Sequence, residues 1–299
     1  MHIRKKLIDF IRISDDLIDS NNKNEKPLFK TRIKIKCFDN GKLSAPIILS
    51  HNATVFNGRV SLQENIFGGV PNPAQHLLLN DIYNIPHSIN VFEGEENYHK
   101  LRSVDYFCIG NGAESTTLNG DIIQERSSDT KLYNMVPFRC VPISADISDE
   151  EAKKYRLRKK INIKGQEYFA YYAKKIEKSN IKIIYNGNNY IPKESDTSTL
   201  PDTDETKPLR SGQVTIYTIL NVNIEPKDFK EYYQLMNNGS LTLAKISEIG
   251  LISGYDSENA LASNKLELAG AELFAKMCFT AMPMESPTSS LEFSYEMYT

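Results

Sequence analysis

The densest charge in the sequence is KKYRLRKK, six cations in the eight residues 153–160, interrupted by Tyr155 and Leu157. Such a run can hold phosphate, and so could contact DNA. It can equally be a solvated helix end. ISDEEAKKYRLRKK reads as a helix with a capping box, Ser148 with Glu151, acids in its first turn and bases in its last. That layout is what helix stability alone selects, so we favour it, including a salt bridge to a neighbouring subunit, over DNA contact. The formal net charge of −2 argues against general electrostatic binding to nucleic acid.

The other candidates for chemistry are weaker. GNGAEST, residues 110–116, follows a strand pattern but lacks the lysine and spacing of a P-loop, and Gly110 and Gly112 do not complete the dinucleotide fingerprint. It reads as a glycine turn. The five histidines, His2, His51, His76, His87 and His99, form neither HExxH nor HxH. Cys37, Cys108, Cys140 and Cys278 are far apart with no CxxC pair, which suits reduced, buried thiols in a reducing compartment. No GxSxG or Cys–His signature is present, and the carboxylates are scattered as on a solvated surface. No catalytic, cofactor-binding or metal-ligating residue is assigned, and the chain is read as a non-enzyme without cofactors.

The elements around these residues are mostly strands. TRIKIKCF alternates, with Ile33, Ile35 and Cys37 on one side, and Asn40-Gly41 supplies a hairpin turn. NGRVSLQENIFGG reads as a helix, AQHLLLNDIYNI as a short element, and VDYFCIG as a buried strand. INIKGQEYFAYYAKKI is a hairpin turning at Lys164-Gly165. In GQVTIYTILNVNI, Leu220, Val222 and Ile224 share a face with Val214 and Ile216. PKDFKEYYQLMNNG is a helix opened by Pro226 and stopped by Asn-Gly. Residues 1–28 form an amphipathic helix and linker, with Phe10 on the apolar face; charges within it exclude a membrane span. Residues 29–299 form a mainly β domain, with an exposed excursion at about 192–212 that has almost no apolar residues. The fold class is α+β and strand-dominated, with antiparallel sheets and a few connecting helices.

Near the C-terminus, Ile246, Ile249 and Leu251 of ISEIGLISG are apolar anchors, Gly250 permits close backbone approach, and Glu248 is an acceptor in reach of a cation. An ordinary buried strand with a glycine bulge explains that stretch equally well. LEFSYEMYT puts Leu291, Phe293, Tyr295 and Met297 on one face of a last strand, to be packed in a core or a subunit seam.

Taken in order, HNATVFNGRVSLQENIFG, VDYFCIGNGA, LYNMVPFR, KISEIGLISG, LFAKMCFTAM and LEFSYEMYT resemble segments of tailed-bacteriophage virion proteins of the neck, tail-completion and fibre-attachment type. Lys276 stands where arginine is common in them. The resemblance implies a structural virion component, made in the bacterial cytoplasm, that joins head to tail or completes the tail. Its implied partners are copies of itself in a ring and other head, neck or tail proteins, with no membrane. The interface residues expected on this reading are Phe10, Lys153, Lys154, Tyr155, Arg156, Arg158, Lys159, Lys160, Phe293 and Tyr295. A baseplate or fibre-attachment protein is the alternative within the resemblance; a phage-encoded enzyme or a DNA-contacting accessory protein is the alternative outside it.

Overall fold

The structure, a computed structural model, describes residues 30–45, 47–50, 53–55, 57–61, 77–86, 103–114, 122–126, 128–185, 188–190, 216–258 and 266–298. Phe10 with its expected helix, the 192–212 excursion and all five histidines lie outside these residues.

Among the described residues fifteen strands follow one another: β1 (Lys30–Asp39), β2 (Lys42–Leu43), β3 (Ile48–Ser50), β4 (Ala53–Thr54), β5 (Ser103–Gly110), β6 (Met135–Val136), β7 (Arg139–Pro142), β8 (Tyr155–Ile163), β9 (Gln166–Lys175), β10 (Ile181–Tyr185), β11 (Asn188–Tyr190), β12 (Ile216–Ile224), β13 (Lys245–Glu258), β14 (Leu266–Pro283) and β15 (Ser290–Tyr298). Short helices α1 (Leu79–Ile82), α2 (Asp149–Ala152) and α3 (Lys230–Met236) lie between them. The strand-dominated α+β class is what the alternation in the sequence predicts.

The strands form two antiparallel sheets. One runs β11-β10-β12-β15-β1-β2, with β3 also on β1; the other runs β4-β14-β13-β5-β9-β7, with β6 on β5 and β8 on β9. The two face each other across one core. Ile33 and Ile35 of β1, Val222 of β12 and Phe293 of β15 share it with Ile249, Leu251 and Met277 of the second sheet. Phe279 and Phe293 meet edge to face across the gap, ring centroids 5.9 Å apart. The outer face of the first sheet carries the half-exposed Lys34, Lys36, Asn221, Ser294 and Glu292. This inside/outside alternation fixes the register, because a one-residue slip would bury the polar row.

The middle of the second sheet, where β14, β13 and β5 lie side by side, is buried on both faces. Behind it a separate core gathers Val55, Leu79, Tyr106, Cys108, Leu132, Ile252 and Leu273. Asn80 of α1 ties that layer to β14: its amide donates to the Leu268 carbonyl at 3.0 Å and accepts from Ala271 N–H at 3.0 Å. Burial on both sides explains why β14 and the middle of β13, Ile249–Ile252, carry apolar residues or glycine at successive positions instead of alternating.

Local turns follow the expected chemistry at two places. Asn40-Gly41 (φ 49° and 73°) and Lys164-Gly165 (φ 52° and 85°) are left-handed pairs closing the β1–β2 and β8–β9 hairpins. Two helix expectations need correction. The Ser148 cap is present, its hydroxyl accepting from Glu151 N–H at 3.3 Å, but α2 ends at Ala152 and KKYRLRKK runs into strand β8. Its cations therefore do not complement a helix dipole; Arg156, Arg158 and Lys160 are held instead by carboxylates from other elements. Likewise Pro226 does not open α3. The helix begins four residues later, after Phe229 in a left-handed conformation, because Asp228 is buried as a hydrogen-bond acceptor in the preceding turn.

Candidate functional site

Four sequence segments, 104–113, 129–139, 245–254 and 273–282, meet at one place. On the rear face of the second sheet Glu248 lies opposite Cys278 of β14 and Gly110 of β5. Two residues along, Gly250 lies opposite Lys276 and Cys108. Glu248 and Lys276 are thus diagonal neighbours on one face. Ala53 of β4 pairs with Lys276 on the far side, and Gly58 follows closely.

Glu248 is fully buried, and its carboxylate fills the concavity made by the glycine turn. Oε1 accepts from Gly112 N–H at 2.7 Å and from Asn134 N–H at 3.1 Å; Oε2 accepts from Tyr133 N–H at 2.7 Å. The loop at GNGA therefore does cradle an anion, but the anion is the chain's own carboxylate. Ser247 assists, its hydroxyl accepting from Ala113 N–H at 3.1 Å. One strand thus pins two loops that have no regular structure of their own.

Lys276 is also fully buried. Its Nζ lies 3.1 Å from Asp129 Oδ2, 3.5 Å from Glu248 Oε2 and 3.0 Å from the centre of the Tyr133 ring. It also donates to the Lys131 carbonyl at 3.4 Å. Asp129 Oδ2 accepts in addition from Arg126 N–H at 3.1 Å and lies 3.3 Å from Tyr133 Oη. Burial pushes the Tyr133 phenol up to about 12, with Asp129 adding to the rise. A buried amine needs such partners, since its desolvation penalty amounts to several kcal/mol.

The glycines make this possible by absence. A Cβ on Gly110 would stand 2.6 Å from the Asn134 carbonyl oxygen and 2.8 Å from Glu248 Oε1; one on Gly58 would stand 2.1 Å from the Phe274 carbonyl oxygen. Both obstacles include backbone, which cannot swing aside. Gly110→Ala should therefore lower stability by about 1–3 kcal/mol, the usual range for overpacking, read as a lower urea midpoint with unchanged m-value. An unchanged midpoint would show that the carboxylate does not need that space.

Further buried charges lock the second sheet to its surroundings. Asp256 accepts from Tyr106 Oη (2.5 Å), Arg156 Nε (2.7 Å) and Lys175 Nζ (3.1 Å). Burial works to raise that carboxyl, but the Arg156 and Tyr106 hydrogen bonds outweigh it and hold it below its usual range. Asp228, wholly buried, accepts from Tyr155 Oη, Lys174 Nζ and Glu225 N–H, each at 2.7 Å. Glu231 of α3 accepts from Arg139 Nε at 3.0 Å and Nη2 at 2.9 Å and from Cys140 N–H, while Arg139 Nη1 donates to Glu151.

The residues expected at an interface separate accordingly. Tyr155 and Arg156 are enclosed by the chain itself, and Arg158 bridges Asp146 (3.2 Å) and Glu267 (3.4 Å) where β8 meets β14. Lys159 donates to the Tyr83 carbonyl at 2.5 Å, and Lys160 pairs with Glu167 at 2.7 Å on the surface. Lys153 and Lys154 are exposed in the turn before β8. Phe293 and Tyr295 are buried between the two sheets.

Glu267 gives the β8–β14 contact a pH dependence. Burial pushes its carboxyl up to about 7, against the pull of Arg158 and Arg156, while Asp146 adds to the rise. The folded state then holds a proton that the unfolded chain releases above its ordinary value near 4.3. Stability from this group is present at low pH and is lost as pH climbs to about 7, by roughly 1–3 kcal/mol. Asp39, Glu225 and Asp256 are lowered, so their contributions vary only below this window. Urea titrations at pH 5 and pH 8 should show the decline, and Glu267→Gln should flatten it. An equal slope in wild type and variant would exclude Glu267 as its source.

Among the described residues no group of three or more His, Cys, Asp or Glu side chains could hold a metal ion, and no helix is long and apolar enough to cross a membrane. The latter says nothing of crossing by strands.

Fold and site together define a class: a two-sheet antiparallel β protein whose widely spaced motifs assemble one buried charge cluster. The chain belongs to the family of unknown function DUF7208, whose model matches residues 51–272. That span takes in Gly58, the GNG turn, Tyr133 and Glu248 and ends just before Lys276. No curated protein and no solved structure matches the chain.

Proposed function

We propose that the protein is a non-enzymatic structural component of a tailed-bacteriophage virion, at the neck or in tail completion, acting as a ring of copies in contact with other virion proteins. The observation that supports this reading is the convergence of four of the resembling segments, 104–113, 132–139, 245–254 and 273–282, on Glu248 and Lys276. Residues of those segments serve here to lock loops onto a sheet, as a rigid structural body requires. Surface for partners remains on Lys153, Lys154 and Lys160 and on the exposed Met236 and Leu243.

The DNA-contacting alternative is weakened by the pairing within the basic run. Four of its six cations, Arg156, Arg158, Lys159 and Lys160, already engage groups of the same chain. A baseplate or fibre-attachment position uses the same architecture and differs only in neighbours.

Mass spectrometry of purified particles of the encoding phage tests the reading. Peptides of this chain should appear at a fixed multiple of copies per particle. A reconstruction should then show inter-subunit contacts well above about 1,000 Å². Recovery from infected-cell extract but never from particles would overturn it.

A further inference from the structure

We propose that Lys276 and Asp129 become joined by an intramolecular isopeptide bond, with Glu248 as the proton carrier. The reading rests on the juxtaposition of one amine and two carboxylates, with the amine and one carboxylate fully buried. It does not depend on where the protein acts.

Three observations carry it. First, proximity: Nζ of Lys276 lies 3.1 Å from Asp129 Oδ2 and 3.5 Å from Glu248 Oε2, so nucleophile, electrophile and acid–base group are in place together. Groups held in this way react with effective concentrations of about 10⁵–10⁸ M. Second, enclosure: the Lys276 and Glu248 side chains are fully buried, and that of Asp129 is 13% exposed. The amine and the proton carrier are thus held away from water, and the Asp129 carboxyl lies at the edge through which the expelled water leaves. Third, polarisation: Oδ2 of Asp129 accepts from the Arg126 N–H at 3.1 Å, a donor placed where negative charge develops when its carbonyl carbon is attacked, while the Tyr133 hydroxyl, 3.3 Å away, is shared with the Gln124 carbonyl at 2.9 Å.

The step balances within the three side chains. Glu248 takes a proton from the Lys276 ammonium and passes it to the Asp129 carboxylate. The freed amine lone pair attacks Cγ of Asp129 and forms the N–C bond, with the charge moving onto Oδ2. Glu248 then removes a second proton from the nitrogen and delivers it to the Oδ1 hydroxyl, which leaves as water when the carbonyl reforms. The products are one amide, one water and Glu248 as it began. No oxidant or cofactor enters. The three backbone N–H groups on Glu248 fix its position through both transfers. The bond would join β14 to the loop before β6, at the same point that Glu248 secures without covalent linkage.

Intact-mass measurement of the purified full chain decides the matter. The expected mass is lower than that of the sequence by one water, about 18 Da. Digestion should give a branched peptide linking the Asp129 and Lys276 segments. Lys276→Arg keeps the cation without a reactive amine, and Asp129→Ala removes the electrophile; each should restore the full sequence mass. Glu248→Gln should leave most chains unlinked. A wild-type mass equal to that of the sequence, with the two peptides recovered separately, would mean that the cluster is an ion pair only and would overturn the proposal. The wild-type measurement stands even if a variant fails to fold.

Discussion

Glu248→Ala should destabilise the protein by about 3–5 kcal/mol, the usual cost of breaking a buried ion pair from one side. The expected size follows from what the carboxylate serves. Gly112, Tyr133 and Asn134 would each lose a backbone acceptor, and Lys276 would keep Asp129 as its remaining carboxylate. An orphaned buried donor costs about 1–3 kcal/mol by itself. Glu248→Gln should fall between, since an amide oxygen can accept from part of the set while its NH₂ faces donors. The change also leaves an anion-shaped hole, so formate or acetate should recover part of the loss in Glu248→Ala and none in wild type. Urea unfolding with and without formate measures both effects. A loss below about 1 kcal/mol would show that the two loops hold their shape without the carboxylate.

Deleting residues 291–299 should abolish soluble protein. β15 is an inner strand: β1 pairs with it from Lys30↔Tyr298 to Phe38↔Ser290, and β12 from Tyr217↔Tyr298 to Ile224↔Leu291. Removal would split the sheet and expose two long unpaired edges, which invite aggregation. It would also empty the core of Leu291, Phe293 and Tyr295, which are 1%, 2% and 8% exposed. Truncating one large aromatic typically costs about 3–5 kcal/mol, a large share of a domain's usual margin of about 5–15 kcal/mol. The opposite face provides the control. Glu292 pairs with Lys36 at 2.7 Å on the partly exposed outer side, and Glu292→Gln should cost no more than about 1 kcal/mol. Soluble yield and thermal melting of the two variants test the contrast. A deletion variant that stays soluble and melts cooperatively would refute the central role of β15.

The sequence by itself determined the elements whose cause is local. Alternation in TRIKIKCF and LEFSYEMYT placed Ile33, Ile35, Phe293 and Tyr295 inside, because a strand's period of two puts a mixed row on opposite faces. Asn40-Gly41 and Lys164-Gly165 made hairpins because the required left-handed pair is written in two adjacent residues. The Ser148 cap was equally legible, yet not the length of its helix. Nothing local says that Arg156 and Arg158 will meet Asp256 and Glu267 from strands a hundred residues away. Those contacts draw the basic run into β8.

The site lay still further from local reading. Glu248 was recognisable as an acceptor in reach of a cation, while its cation, its three N–H donors and the reason for the glycines at 110 and 112 were not. The GNG turn lacks the lysine of a phosphate loop because its anion arrives from β13 of the same chain. The tertiary structure decided this by pairing β13 with β5 on one side and β14 on the other, in a register that sets Glu248 beside Gly110 and diagonal to Lys276. Strand register is a property of paired surfaces, and the charge cluster exists only where three distant segments share one face.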